Sequence, residues 1–282
     1  MATVQWFPGH MAKTKRLLRE NLKRVDVVIE VLDARAPRSS ENPLLASLIA
    51  AKPRLVVLNK DDLADPRASA LWEGYYRRAG RTVPVRVSAS GKTGLNSIVP
   101  AARELCRDAS WAKRRPVRAL IAGIPNVGKS TLINALARRR RAEAGATPGL
   151  TRELRRIPVH PKLDIFDTPG LLWHKFEDRR TGLILAALGA VKETILPEDE
   201  VTGEILAYLA RRYPAALAER YGIENVEPEP RVLLEEVGRR RGCLMAGGRI
   251  DEPRTCQLVL KDLRAGRFGP ISLEWPDGVG WD

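Results

Sequence analysis

The order of two short motifs constrains the fold of this chain more than any other feature of its sequence. A Gly-x-x-x-x-Gly-Lys-Ser motif runs from Gly123 to Ser130 and directly follows the apolar residues 117–122. Between a strand and a helix, such a loop forms an anion nest of backbone N–H groups at the helix N-terminus. An Asn59-Lys60-x-Asp62 motif lies upstream of this loop. In an ordinary GTPase the second motif lies downstream, so the sequence predicts a nucleotide-binding fold that is circularly permuted.

Strand-like and helix-like patterns alternate through the first 175 residues. We expect strands at residues 25–33, 55–58, 82–87, 117–122, 154–159 and 163–166. We expect helices at residues 11–23, near 42–44, at 66–79, at 95–108 and from 129 onward. This alternation predicts an α/β protein of the P-loop NTPase type, with a doubly wound, mostly parallel sheet. Each motif falls at the carboxyl end of a strand, where such sheets bind ligands.

The strand pattern ends near residue 175. Apolar residues then recur at helical spacing in residues 181–191, 201–208, 232–237 and 256–263. We therefore expect a permuted nucleotide-binding domain at 1–175 and a C-terminal, all-helical domain at 176–282.

The loop motif assigns residues to a triphosphate and to Mg²⁺. Lys129 is expected at the β- and γ-phosphates, and Ser130 at the metal through its hydroxyl. The predicted phosphate-binding residues are Asn126, Val127, Gly128, Lys129, Ser130, Thr131 and Gly170. Asp167, in an Asp-x-x-Gly motif, is expected at Mg²⁺ together with a switch threonine. Thr151 is the favoured threonine and Thr147 the alternative.

The upstream motif predicts the base. The Asp62 carboxylate can accept from both N1–H and the exocyclic amine of guanine, whereas adenine would leave that charge unpaired, which disfavours an ATPase. The stem of Lys60 can cover the base, and Asn59 can tie this segment to the phosphate loop. Ser88 and Ala89 follow the next strand. They are expected to complete the pocket, with a backbone N–H, that of Ala89, meeting the guanine carbonyl oxygen.

Charge favours a polyanionic partner. The 48 lysine and arginine residues exceed the 34 aspartate and glutamate residues, for a net charge of +14. Such an excess favours nucleic acid or a nucleoprotein, the alternative being an arginine-rich solvated surface. The basic clusters suited to RNA phosphates are Lys13-x-Lys15-Arg16, Arg138 to Arg141 and Arg239 to Arg241.

Cysteine content and hydropathy bear on location. The three cysteines, Cys106, Cys243 and Cys256, are widely spaced and fit a reduced protein better than a disulfide scaffold or zinc site. No apolar run approaches the roughly 20 residues of a membrane span, and the N-terminus lacks signal-peptide features. We expect a cytoplasmic protein.

Further motifs support a resemblance to a known family. Residues Trp6 to Lys13 read Trp-Phe-Pro-Gly-His-Met-Ala-Lys, and Asp33-Ala34-Arg35-x-Pro37 follows the first strand. Together with the permuted order, they resemble the ribosome biogenesis GTPase A family, of the RbgA or YlqF type, over roughly residues 4–175. The resemblance implies a GTP hydrolase of late large-subunit assembly. Such an enzyme binds rRNA or the pre-subunit with GTP, docks partly through its helical domain, and is released on hydrolysis.

The resemblance also bears on catalysis. Many GTPases place a water-orienting glutamine after Asp-x-x-Gly, but this chain has Leu171 there. The family's histidine maps to His10, which is implied to orient or deprotonate the water; helix capping by His10 and a role for His174 are the alternatives. The asparagine in this form of the loop, Asn126, implies a K⁺ ion beside the phosphates. We expect a monomer; a non-catalytic RNA-binding scaffold that holds GTP is the rival hypothesis.

Overall fold

A computed structural model of the protein describes residues 19–49, 52–144, 156–167, 178–191, 196–224, 227, 229–277 and 281. The chain divides into two compact units, one of Thr3–His174 and one built on Lys175–Asp282. Among the helices in these ranges, none has both the length and the apolar character that a bilayer span requires.

The first unit is built on one six-stranded sheet. The strands are β1 (Val27–Asp33), β2 (Arg54–Asn59), β3 (Thr82–Val87), β4 (Val117–Ala122), β5 (Arg156–His160) and β6 (Leu163–Asp167). Their order across the sheet is β3-β2-β1-β4-β6-β5. All neighbouring pairs are parallel except β5 and β6, which are antiparallel. This arrangement confirms the predicted α/β fold with a mostly parallel sheet.

The central strands are apolar because both faces of the sheet are covered. All seven residues of β1 are buried, including the charged Glu30. The guanidinium of Arg54, at the start of β2, donates to the Glu30 carboxylate over 2.6 Å and to that of Glu41 over 2.6 Å. This pairing offsets the cost of burying Glu30, whose pKa is raised by burial despite Arg54.

Helices and short turns cover the sheet. They are α1 (Pro37–Ser40), α2 (Pro43–Ile49), a 3-10 helix (Asp61–Leu63), α3 (Pro66–Arg78), α4 (Leu95–Glu104) and α5 (Lys129–Ala144). Trp72 and Tyr76 of α3 pack in one cluster with Leu32, Val56 and Leu58 of the sheet. Burial of these large apolar side chains fixes α3 beside the loop that follows β2.

Helix α4 ends four residues before the predicted end at Asp108. The N–H groups of Cys106, Arg107 and Ala109 donate to carbonyls three residues back. Such short-range bonds tighten the chain into turns and end the helix. The helical spacing of apolar residues nevertheless continues past this point, which is why the predicted end was too late.

The second unit contains the helices α6 (Arg179–Ala187), α7 (Glu198–Arg212), α8 (Pro214–Tyr221), α9 (Pro230–Arg240) and α10 (Glu252–Arg264). Helix α7 packs against the other four and is buried along most of its length. At Gly203 an added Cβ would lie 2.9 Å from Pro230 Cβ, so α7 and α9 approach closely there. Helix α8 was not predicted, because its buried stripe, Leu217 and Tyr221, is too short to show a period.

Candidate nucleotide site

Parallel pairing brings the predicted site residues to one edge of the sheet. Asp33, Asn59 and Val87 are register partners at the carboxyl ends of β1, β2 and β3. On the other side, Asp167 ends β6 beside Ile121 of β4. The phosphate loop leaves β4 between these two groups and leads into α5.

The phosphate loop requires two unusual backbone conformations. Asn126 has φ 63° and Gly128 has φ 92°. Asparagine tolerates the left-handed region better than most residues, and glycine enters it without a steric cost. We call residues 59–62, which carry the motif predicted to bind the base, the base-reading segment. A Cβ at Gly128 would lie 2.3 Å from Asn59 Nδ2, so close docking of this segment also requires glycine here. Ser130 and Thr131 are exposed in the first turn of α5.

Asn59 and Lys60 bind the phosphate loop directly. Asn59 Nδ2 donates to the Val127 carbonyl over 2.8 Å, and Lys60 Nζ donates to the Asn126 carbonyl over 2.7 Å. Asn59 Oδ1 accepts from the Ala89 N–H over 3.1 Å. One asparagine thus joins the loops that follow β2, β3 and β4, although the segments are far apart in sequence.

The segment after β3 is held by Ser88. Its hydroxyl is buried and accepts from the Gly91 N–H over 3.0 Å. The Ala89 N–H, which the sequence assigns to the guanine carbonyl oxygen, donates to Asn59 in this structure. The structure therefore places Ser88 and Ala89 beside the base-reading segment.

Two adjacent carboxylates after β2 have different surroundings. Asp61 accepts from Arg86 Nε of β3 over 2.9 Å. Asp62 is exposed, and no residue in the described ranges donates a hydrogen bond to it. The carboxylate open to a ligand is therefore that of Asp62. Sequence reasoning missed Arg86, since an arginine in a strand gives no sign of a partner that lies elsewhere in the sequence.

A buried charge network lies beneath this segment. Asp33 accepts from Arg35 Nε over 3.0 Å and Arg35 Nη2 over 2.9 Å, and from Lys60 Nζ over 2.8 Å. Burial acts to raise the pKa of Asp33, but Arg35 and Lys60 outweigh it and hold the pKa well below its usual range. Asp33 is therefore an anion at the base of the site.

Opposite charges also meet on the phosphate side. Lys129 Nζ lies 2.9 Å from Asp167 Oδ1, and their side chains are 10% and 33% exposed. A residue predicted for phosphate and a residue predicted for Mg²⁺ are thus in direct contact. A carboxylate and a hydroxyl, such as those of Asp167 and Ser130, are hard oxygen ligands of the kind that Mg²⁺ prefers.

Several predicted functional residues lie outside the described part of the chain. They are His10, Thr147, Thr151, Gly170, Leu171, His174 and the basic cluster at residues 13–16. Of the other basic clusters, Arg138 is exposed, while Arg239 and Arg240 pair with Glu235 and Glu236 on their own helix. Such exposed pairs contribute little to stability, so these guanidinium groups can exchange partners at low cost.

Comparisons with known proteins identify related sequences. A family model described as 50S ribosome-binding GTPase matches residues 118–209. Ribosome biogenesis GTPase A of Bacillus licheniformis is 44% identical over 282 residues, which cover 98% of this chain and 99% of that protein. Mitochondrial ribosome-associated GTPase 1 of Xenopus tropicalis is 33% identical over 85% of this chain and 80% of its own length.

The fold also matches a solved structure. A GDP-bound YlqF structure superimposes with a TM-score of 0.63 at 25% identity, covering 92% of this chain and 99% of that one. The Bacillus licheniformis relative and the YlqF structure thus align with 98% and 92% of this chain.

Proposed function

Because this chain belongs to the ribosome biogenesis GTPase A family and is a GTPase of ribosome assembly, we propose that it acts late in maturation of the large ribosomal subunit. It binds rRNA or the pre-subunit in the GTP state and leaves after hydrolysis. It works as a monomer in the cytoplasm.

One observation carries the assignment of the nucleotide. Asn59 and Lys60 donate to the carbonyls of Val127 and Asn126, so the base-reading segment lies against the phosphate loop. A nucleotide whose phosphates occupy the loop would therefore have its base near Asp62. The Asp62 carboxylate accepts from N1–H and the exocyclic amine of guanine, and Lys60 covers the base with its stem.

The phosphate loop binds the triphosphate through its backbone N–H groups, from Asn126 to Thr131, and through the ammonium of Lys129. Gly170 offers its N–H to the γ-phosphate. Ser130, Thr151 and Asp167 would hold Mg²⁺. When bound, this ion offsets negative charge on the phosphate oxygens. Asn126 is an exposed residue of the phosphate loop. Its side chain would contribute to a K⁺ site.

By resemblance to the family, His10 orients water for in-line attack. The residue after the Asp-x-x-Gly motif, Leu171, has no hydrogen-bonding group in its side chain and cannot do so. His10 either removes a proton from this water or only orients it. The net charge of +14 supports the rRNA partner, since neutralising phosphates releases counterions and drives binding.

The test is multiple-turnover phosphate release from GTP and ATP, with and without purified large-subunit precursors. We expect GTP-specific turnover that the precursors stimulate, and in His10→Ala a loss of stimulated turnover of roughly 100-fold with near-normal GDP affinity. Binding of GTP without stimulated turnover would instead indicate an RNA-binding scaffold. Equal rates in Na⁺ and K⁺ at matched ionic strength would reject the K⁺ site.

Binding to the particle needs a separate measurement. Co-sedimentation with ribosomal subunits should be strong with a non-hydrolysable GTP analogue and weak with GDP. Equal binding in both states, or preferential binding to small subunits, would contradict the proposed cycle.

A further inference from the structure

Asp33 occupies the point where the base-reading segment and the phosphate loop meet. Asp33 is the last residue of β1. Strand β1 lies between β2, which ends at the base-reading segment, and β4, which leads into the phosphate loop. Its side chain is 3% exposed, yet it accepts hydrogen bonds from two cationic side chains, Arg35 and Lys60. Burying a carboxylate anion costs free energy, which the bonds from these two partners offset.

Lys60 connects Asp33 to the phosphate loop. Its ammonium donates to Asp33 Oδ2 over 2.8 Å and to the Asn126 carbonyl over 2.7 Å. The two bonds hold one end of a side chain that is 22% exposed and whose backbone has φ 61°. Because a free lysine side chain samples many rotamers, fixing its ammonium also fixes the path of its aliphatic stem.

We propose that Asp33 is a positioning residue for guanine-nucleotide binding, which anchors the Lys60 ammonium so that the Lys60 stem is held over the base and the Asn126 carbonyl is held in place. Arg35 keeps Asp33 charged and oriented through its two bonds to the same carboxylate. Asp33 itself does not touch the nucleotide. The proposal rests on the proposed function, since it assumes a guanine nucleotide at this site.

A double-mutant cycle tests the proposal. Asp33→Asn removes the anion, and Lys60→Met removes the ammonium while keeping a stem of similar length. The affinity for a fluorescent GDP analogue is measured in the wild type, both single variants and the double variant. Each single change should weaken binding about tenfold, as for a lost charge-assisted hydrogen bond. The double variant should bind no more weakly than the weaker single variant.

The matched control is a substitution of Asp26, the residue directly before β1. Asp26 accepts from Arg115 over 2.7 and 2.8 Å, so Asp26→Asn also breaks a carboxylate–guanidinium pair, but far from the predicted site. It should leave GDP affinity unchanged within about twofold. An equal loss in Asp26→Asn would mean that general destabilisation weakens binding, and would overturn the proposal.

Other outcomes separate this proposal from the function on which it rests. Additive losses, with the double variant weaker by about 100-fold, would show that Asp33 does not act through Lys60. Should Asp33→Asn fail to fold, unchanged GDP affinity in Lys60→Met would overturn the proposal alone. A wild-type protein that binds ATP as tightly as GDP would overturn the proposed function, and this proposal with it.

Discussion

At the scale of the residue, neighbouring side chains of one type differ in role because their partners differ. Asp61 and Asp62 are adjacent in a 3-10 helix, but only Asp61 pairs with Arg86. The carboxylate of Asp62 is exposed and is the one available to a ligand. We therefore expect selection of the base to depend on Asp62 and not on Asp61.

This difference predicts a change of base preference in Asp62→Asn. The amide cannot accept both guanine donors, so GDP affinity should fall by about 100-fold while the affinity for xanthosine diphosphate rises. Competition of the two nucleotides against a fluorescent GDP analogue measures the preference. Asp61→Asn is the matched control and should keep guanine preference, because its carboxylate is committed to Arg86. A similar shift in both variants would reject the assignment.

Gly128 supports a second prediction at this scale. Its φ is 92°, and a Cβ there would meet Asn59 Nδ2 at 2.3 Å. Gly128→Ala should displace Asn59 from the Val127 carbonyl and weaken GDP binding at least tenfold. Gly80→Ala is the control, since nothing lies within 4 Å of a Cβ there. Normal GDP affinity in Gly128→Ala would show that the loop does not require the close contact.

At the scale of the element, α3 begins shortly after the 3-10 helix that carries Asp62, and its first turn is capped. Asp65 is the N-cap of α3, and its carboxylate accepts from the Arg67 N–H over 2.8 Å. Burial acts to raise the pKa of Asp65, but the hydrogen bonds from Arg67 outweigh it and lower the pKa. The helix is fixed in turn by Trp72 and Tyr76 in the core.

Capping predicts both a stability loss and a pH dependence. Asp65→Ala should lower the free energy of unfolding by about 1 kcal/mol at neutral pH. Because the folded-state pKa is depressed, the stabilisation is complete above the ordinary aspartate pKa and is lost as pH falls through the folded-state value. Asp65→Asn keeps a capping group and should lack this part of the pH dependence. Urea unfolding of the three proteins at neutral and acidic pH measures the difference, and parallel profiles for Asp65→Asn and the wild type would contradict it.

At the scale of the whole molecule, each compact unit has its own buried charge network. In the second unit, Asp262 is fully buried and accepts from Arg220, Tyr221 and Arg267 over 2.7, 3.0 and 2.8 Å. Burial acts to raise the pKa of Asp262, but these donors outweigh it and lower the pKa. We propose that the two units fold as separate domains, as the sequence predicts for residues 1–175 and 176–282.

Asp262→Ala tests the proposed domains. Removing the buried anion leaves the buried Tyr221 hydroxyl without its acceptor and breaks the bonds from Arg220 and Arg267, which should cost about 2 kcal/mol in the second unit. Calorimetry should show one unfolding transition at lower temperature and another unchanged, with GDP affinity retained. Asp199→Ala, which removes an exposed carboxylate from the first turn of α7, is the control and should change neither transition measurably. A shift of both transitions in Asp262→Ala would show that the units unfold as one.

The sequence by itself determined the α/β class, the permuted motif order and the six strands, each within two residues of its observed ends. It also indicated the family. These features follow from local patterns: apolar runs, turn residues and motif spacing are readable along a single chain. The end of α4 and the existence of α8 were not readable, because one apolar pattern outlasts its helix and the other is too short.

Only the tertiary structure decided which side chains meet. The pairing of Asp33 with Lys60 and of Arg86 with Asp61 depends on which strands lie side by side and in what register. The contact of Asn59 with the phosphate loop was predicted, but its acceptor, the Val127 carbonyl, was not. Parallel register is set by contacts between segments far apart in sequence, so no local pattern encodes it. The distances between the site residues therefore depend on the folded sheet, whereas the functional groups of those residues are given by the sequence alone.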